Sequence, residues 1–184
     1  MSLIVSPMSR AARRDGLASW MSDPKYTHAI SLAPNRPNIS SDLLKRMFGW
    51  FCLEVDRYML GVKHAHLRNS HDRFDMIAMP EKLDVNPHLH GVANMSVDFW
   101  GERLMLPWES KLDQIWREVT RGSGEIDITD NDDGLAIYFT KEAFPRDHDH
   151  LHSWDFHRND KLRKRPSATS LQRVAITRKA VLHS

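Results

Sequence analysis

One cysteine in 184 residues excludes an intrachain disulfide, and Cys52 sits in the apolar run Trp50-Phe51-Cys52-Leu53, where a small buried hydrophobe is its expected role. The chain also lacks any apolar run near the ~18 residues that a membrane-crossing helix needs. Residues 1–20 carry arginines but no continuous apolar stretch leading to a cleavage signal, so no secretion is expected and the reducing cytoplasm is the default compartment. Internal repeats and interdomain linkers are missing too. With 41% hydrophobic and 27% charged residues, the composition fits one globular domain with ragged ends.

Net charge is scarce, at +2, but it is unevenly placed. From Arg158 to Ser184 there are eight Lys/Arg, including Lys161, Arg163, Lys164 and Arg165, against the single acid Asp160. An acidic body with a basic tail suits a protein that gathers a cation internally and touches a polyanion at its margin. A solvated tail without a partner would look the same.

Hydrophobic periodicity supplies the element order. Residues 1–25 are rich in Ser, Arg and Gly without a sustained period and read as an arm. Thr27 to Ala33 alternates like a strand and stops at Pro34-Asn35-Arg36-Pro37. Ser40 or Ser41 can cap a helix with Leu43, Leu44, Met47, Phe48, Phe51, Val55 and Met59 on its core face. Two strands, Phe74 to Met79 and His88 to about Val97, flank a short turn and read as antiparallel neighbours. Pro107 opens a second helix with Leu112, Ile115, Trp116 and Val119 inward, and Glu125 to Ile128 alternates again. Asp130 or Asn131 can cap a last short helix that ends near Phe144, before Pro145. Residues 146–157 can add an edge strand, and Leu171 to Thr177 another. The order predicts an α+β fold of the split βαββαβ kind, an antiparallel sheet with helices on one face and the other face free for a site.

Three histidine pairs with period two occur: His64/His66, His88/His90 and His150/His152. On a strand such a pair shares one face, about 6–7 Å apart, and can converge on one ion. Only His88-Leu89-His90 runs into an apolar strand that would hold both rings rigidly. Glu81 closes the preceding strand and can supply a third ligand, with Asp84 in reserve. Two imidazoles and a carboxylate leave positions open and suit Mg²⁺ or Mn²⁺ in action. His64 and His66 read as surface residues, and the Asp147-His148-Asp149-His150 run as exposed edge or loop.

Tyr138 and Lys141 lie three apart, on one side of a helix. A phenol can attack phosphorus and become covalently attached, but it holds its proton at neutral pH and needs help. Lys141 can give positive charge or anchor a phosphate. Ile30-Ser31-Leu32, His88-Leu89-His90 and Tyr138-Phe139-Thr140-Lys141, in that order, resemble the three motifs of the replication-initiator branch of the HUH endonucleases, relatives of relaxases and certain transposases.

That resemblance, spanning about residues 26–144, implies a ferredoxin-like sheet with an added catalytic helix. It also implies a divalent ion on His88, His90 and Glu81, with Tyr138 as nucleophile and Lys141 as its companion. Its expected activity is site-specific nicking and joining of single-stranded or hairpin DNA through a 5′-phosphotyrosine, starting rolling-circle replication with a host helicase and polymerase. Arg36 and the basic tail would contact backbone phosphates, which position DNA without reading bases. Trp50, Trp100, Trp116 and Trp154 are candidates for base stacking or core. Ser31 stands where threonine is common, only one tyrosine is present, and no GxxxxGK[ST] follows, so an attached helicase is not expected. The resulting organisation is an arm at 1–25, a nuclease domain at 26–157 and a basic segment at 158–184. A mobilisation relaxase, a transposase-like strand transferase and a noncatalytic nucleic-acid-binding module are the alternatives.

Overall fold

The computed structural model describes residues 10–62, 72–96, 100–101, 107–132, 135–141 and 150–157. They form helix α1 (Arg10–Met21), strand β1 (His28–Ala33), helix α2 (Ser41–Leu60), strands β2 (Met76–Glu81) and β3 (His88–Ala93), helix α3 (Trp108–Thr120), strand β4 (Glu125–Asp130), helix α4 (Leu135–Lys141), strand β5 (Leu151–His152) and helix α5 (Ser153–His157). The fold is mixed α+β. Its five strands pair antiparallel in the order β4-β1-β3-β2-β5, with β3 central.

The Ser40 hydroxyl caps α2 by accepting from the Leu43 amide at 3.2 Å, and the expected apolar stripe from Leu43 to Met59 is buried. Helix α3 begins after Pro107 and ends where Arg121 and Gly122 turn left-handed, at φ 60° and 88°. Both helices cover one sheet face, closing a core over Ile30, Leu32, Met76, Ala78, Leu89 and Ala93. Phe156 of α5 packs against Phe48 from the same side. A buried ion pair, Arg73 with Asp56, ties α2 to the entry of β2, where Asp56 also accepts from the Phe74 amide at 2.7 Å.

The other face is not left free, which corrects the expectation of helices on one face only. Ala29, Ile77, Met79 and Val92 make it apolar, and an apolar sheet face must be covered. The cover comes from α1 and α4 through Leu17, Met21, Ala136 and Phe139. Residues 10–21, read from the sequence as arm, are thus a packed helix. Strand β3 ends at Ala93, earlier than expected, because the Asn94 side chain accepts from the Ser96 amide and hydroxyl and turns the chain out of the sheet.

The cap of α4 also differs. Asp130 stays in β4 opposite His28, and Asn131 donates to the Tyr26 carbonyl at 2.9 Å. Asp132 is the residue that accepts from the Leu135 amide, at 3.2 Å. The edge strand expected within 146–157 is β5, where His152 is buried. Trp20 of α1 stacks on its ring at 5.0 Å and 15°, and its Nε2 lies 3.0 Å from Asp75. His150 is exposed. His64, His66 and the whole segment 158–184 lie outside the described residues.

Candidate metal centre

Strand alternation and the β2–β3 turn build the site together. Glu81, the last residue of β2, pairs directly with His88, the first of β3. Between them Lys82 takes φ 49° and its carbonyl accepts from the Val85 and Asn86 amides at 3.1 Å each, closing the turn. Period two then sends Glu81, His88 and His90 to one sheet face. One carboxylate oxygen, Oε2 of Glu81, lies 2.8 Å from Nε2 of His88 and 2.8 Å from Nε2 of His90. The three ligating atoms fall within 4.8 Å of one another. Their side chains are only 9–21% exposed, so they are enclosed yet reachable.

The opposite ring nitrogens decide what these atoms can do. Nδ1 of His88 lies 2.8 Å from the Asn86 carbonyl, which only accepts, so that nitrogen carries a proton. In a neutral ring, Nε2 then turns a lone pair toward the Glu81 carboxylate. Nδ1 of His90 bonds the Ser31 hydroxyl at 2.7 Å, a partner able to donate or accept. Outer partners of this kind fix the tautomer and ring orientation of a metal ligand. With Ser31 donating to Nδ1, the His90 Nε2 carries its proton toward Glu81; with Nδ1 donating to Ser31, both Nε2 atoms turn lone pairs to the space beside Oε2, the form that ligates a cation. Two imidazole nitrogens and a carboxylate oxygen within 4.8 Å of one another are a donor set that fits a divalent cation, and the site can hold one. Burial pulls His90 below the ordinary imidazole range, and nearby His88 adds to this over the opposing pull of Glu81. A lowered pKa favours the neutral, ligating ring.

Asp84, the reserve ligand, is exposed on the turn and outside this cluster; Glu81 is the carboxylate that converges. Phe139 of α4 stacks on the His90 ring, with centroids 5.2 Å apart and planes within 8°. Tyr138 precedes it in the same helix and is 55% exposed. Lys141 is the last residue of α4, and its side chain lies outside the described residues. Arg36 donates to Ser123 Oγ at 2.8 Å, linking the loop after β1 to the one before β4. Lys161, Arg163, Lys164 and Arg165 fall in the undescribed tail. Of the tryptophans, Trp100 and Trp116 are buried, with indole N–H groups donating to the Asn94 and Ala33 carbonyls, which makes them core. Trp50 and Trp154 are half-buried.

Three contributors escaped the sequence reading: the Ser31 hydroxyl, the Asn86 carbonyl and the Phe139 ring. Ser31 and Phe139 both stood inside quoted motifs, but nothing in a linear pattern says that they meet His90. Helix α1 was missed as well, and it exposes Arg13 and Arg14 while covering the same sheet face as α4. No family model, no curated protein and no solved structure matches the chain.

Proposed function

We propose that the protein nicks and rejoins single-stranded DNA with Tyr138 as nucleophile and a divalent ion at Glu81, His88 and His90, as the replication initiators of the HUH endonucleases do. One observation carries this reading: Phe139 of the Tyr138 helix stacks on a ring of the triad. The strand order β4-β1-β3-β2, with helices after β1 and β3, supports the ferredoxin-like form of the fold. When bound, the ion, Mg²⁺ or Mn²⁺, polarises the nonbridging oxygens of a phosphodiester.

The chain's own residues do the rest. The Tyr138 oxygen attacks the scissile phosphorus as its proton leaves, the P–O3′ bond breaks, and the departing oxygen takes a proton to become a free 3′-hydroxyl. The product is a 5′-phosphate esterified to Tyr138. Because the phosphodiester is exchanged and not hydrolysed, a new 3′-hydroxyl can reverse the step without ATP. Lys141 anchors the phosphate next to the one attacked. Arg36, Arg13, Arg14 and the basic segment Lys161 to Arg165 hold the backbone.

Labelled single-stranded DNA carrying hairpins, incubated with Mn²⁺ and resolved on a denaturing gel, tests the proposal. The expected result is a metal-dependent covalent adduct that disappears in Tyr138→Phe. An adduct that survives in Tyr138→Phe removes the assigned nucleophile. Tight DNA binding without any adduct moves the reading to a noncatalytic nucleic-acid-binding module. Discrimination from a relaxase or transposase lies in the solution mass of the complex, since a transposase organises two DNA ends as a dimer.

A further inference from the structure

We propose that Phe139 is a positioning residue that links ion occupancy at Glu81, His88 and His90 to the order of helix α4, and with it to the placement of Tyr138. The inference rests on the ion reading of the triad and not on strand cutting.

His90 is constrained on four sides. Ser31 holds Nδ1, Glu81 faces Nε2, His88 meets the ring at 4.6 Å in a T-shaped contact, and Phe139 covers its flat face at 5.2 Å. The imidazole cannot turn about its own axis without losing the Phe139 stack. On the other side of the stack, α4 is described over seven residues, with 133–134 and 142–149 outside the described residues. A helix that short has no stability of its own in water and depends on what it docks against. Among its described side chains Ala136, Phe139 and Thr140 are buried and Leu135 partly so, with Ala136 and Phe139 set among Ile77, Met79, Val92 and α1. The His90 ring is therefore part of the surface that keeps α4 folded.

Whatever locks the His90 ring stabilises the stack, and whatever stabilises the stack presents His90 in its ligating orientation. Coupling between two such events is reciprocal by thermodynamic linkage. Ion binding tightens α4; a docked α4 raises ion affinity. Phe139 is the contact through which this passes. Tyr138, one residue away and exposed, is then held most firmly when the triad is loaded.

Mn²⁺ binding to the full chain, followed by the loss of the free-ion paramagnetic resonance signal, is measured beside amide hydrogen exchange with and without saturating Mn²⁺. The expected result is that Mn²⁺ slows exchange at residues 135–141 about tenfold, while amides of α3 change little. Phe139→Leu keeps an apolar side chain but removes the flat ring. It should bind Mn²⁺ about tenfold more weakly and lose the ion-dependent slowing, and Phe139→Tyr should restore both. Wild-type protein that binds Mn²⁺ with unchanged exchange at 135–141 overturns the linkage alone, as does a Phe139→Leu variant that retains both properties. Protein that takes up no Mn²⁺ overturns the ion reading, and the linkage falls with it.

Discussion

A serine hydroxyl and a backbone carbonyl hold the two imidazoles of this site from behind. Ser31 reaches His90 from a strand 59 positions earlier in sequence, and Asn86 fixes His88 from within the turn. Removing the Ser31 hydroxyl leaves Nδ1 of His90 without its 2.7 Å partner and loosens the ring's orientation. Ser31→Ala should therefore weaken Mn²⁺ binding by about tenfold, the scale on which outer partners act. Ser31→Thr should keep wild-type affinity, because the hydroxyl survives; titration calorimetry of the two variants separates loss of the bond from disturbance of the strand. The histidine pair was legible from spacing alone, since period two is a property of any strand. The role of Ser31 was not, because a hydrogen bond across strands depends on register.

At the scale of elements, the β2–β3 hairpin sets Glu81 opposite His88, and the two strands approach closely at Gly91. A Cβ there would meet the Ile77 carbonyl oxygen at 2.1 Å and the Ala78 Cα at 2.9 Å, both backbone atoms that cannot swing aside. Gly91→Ala should push β2 and β3 apart, costing about 3 kcal/mol, and should separate Glu81 from His90 in the same stroke. Urea denaturation reads the first effect and Mn²⁺ affinity the second. A variant that loses neither would mean that the hairpin absorbs the methyl elsewhere. Helices α2 and α3 were readable because long amphipathic stripes and a capping serine or opening proline are local signals. Helix α1 was not: its buried Leu17 and Met21 are too few to set a period, and they gain meaning only against the apolar face they cover. The cap of α4 was misplaced by two residues or less, since Asp130, Asn131 and Asp132 are chemically interchangeable until β4 and α1 claim the first two.

Over the whole molecule, a second polar cluster holds the far edge of the sheet and contributes to its response to acid. Asp75 is 5% exposed, lies 2.9 Å from Lys25 Nζ and 3.0 Å from His152 Nε2, and accepts from the Tyr26 hydroxyl at 3.3 Å. His152 accepts the Trp154 amide at Nδ1, so a neutral ring carries its proton on the side facing Asp75. Burial by itself raises the Asp75 carboxyl, but the contacts from His152 and Lys25 outweigh it and leave the group below its ordinary 3.8. Its pKa is thus lower folded than unfolded. The stability it contributes is complete above the ordinary carboxylate range and is lost as pH falls through the folded value. Urea midpoints taken from about pH 5 down to about pH 2 should fall more steeply for wild type than for Asp75→Asn; parallel curves would mean that the cluster is not what acid dissolves. The cluster joins β5, the entry of β2 and the segment after α1, so its loss should loosen the edge that carries His152.

The amino-acid order by itself determined the strand period of β1 and β3, the helical period of α2 and α3, and the shared face of His88 and His90, because each follows from a backbone period of two or 3.6 residues. Tertiary structure alone decided that Glu81 and not Asp84 faces the two rings, that Phe139 lies on His90, that α1 and α4 cover the second sheet face, and that His152 is buried. Each of those is a meeting between residues distant along the chain or across a turn, and only the packing of apolar faces against one another selects which of many possible meetings occurs.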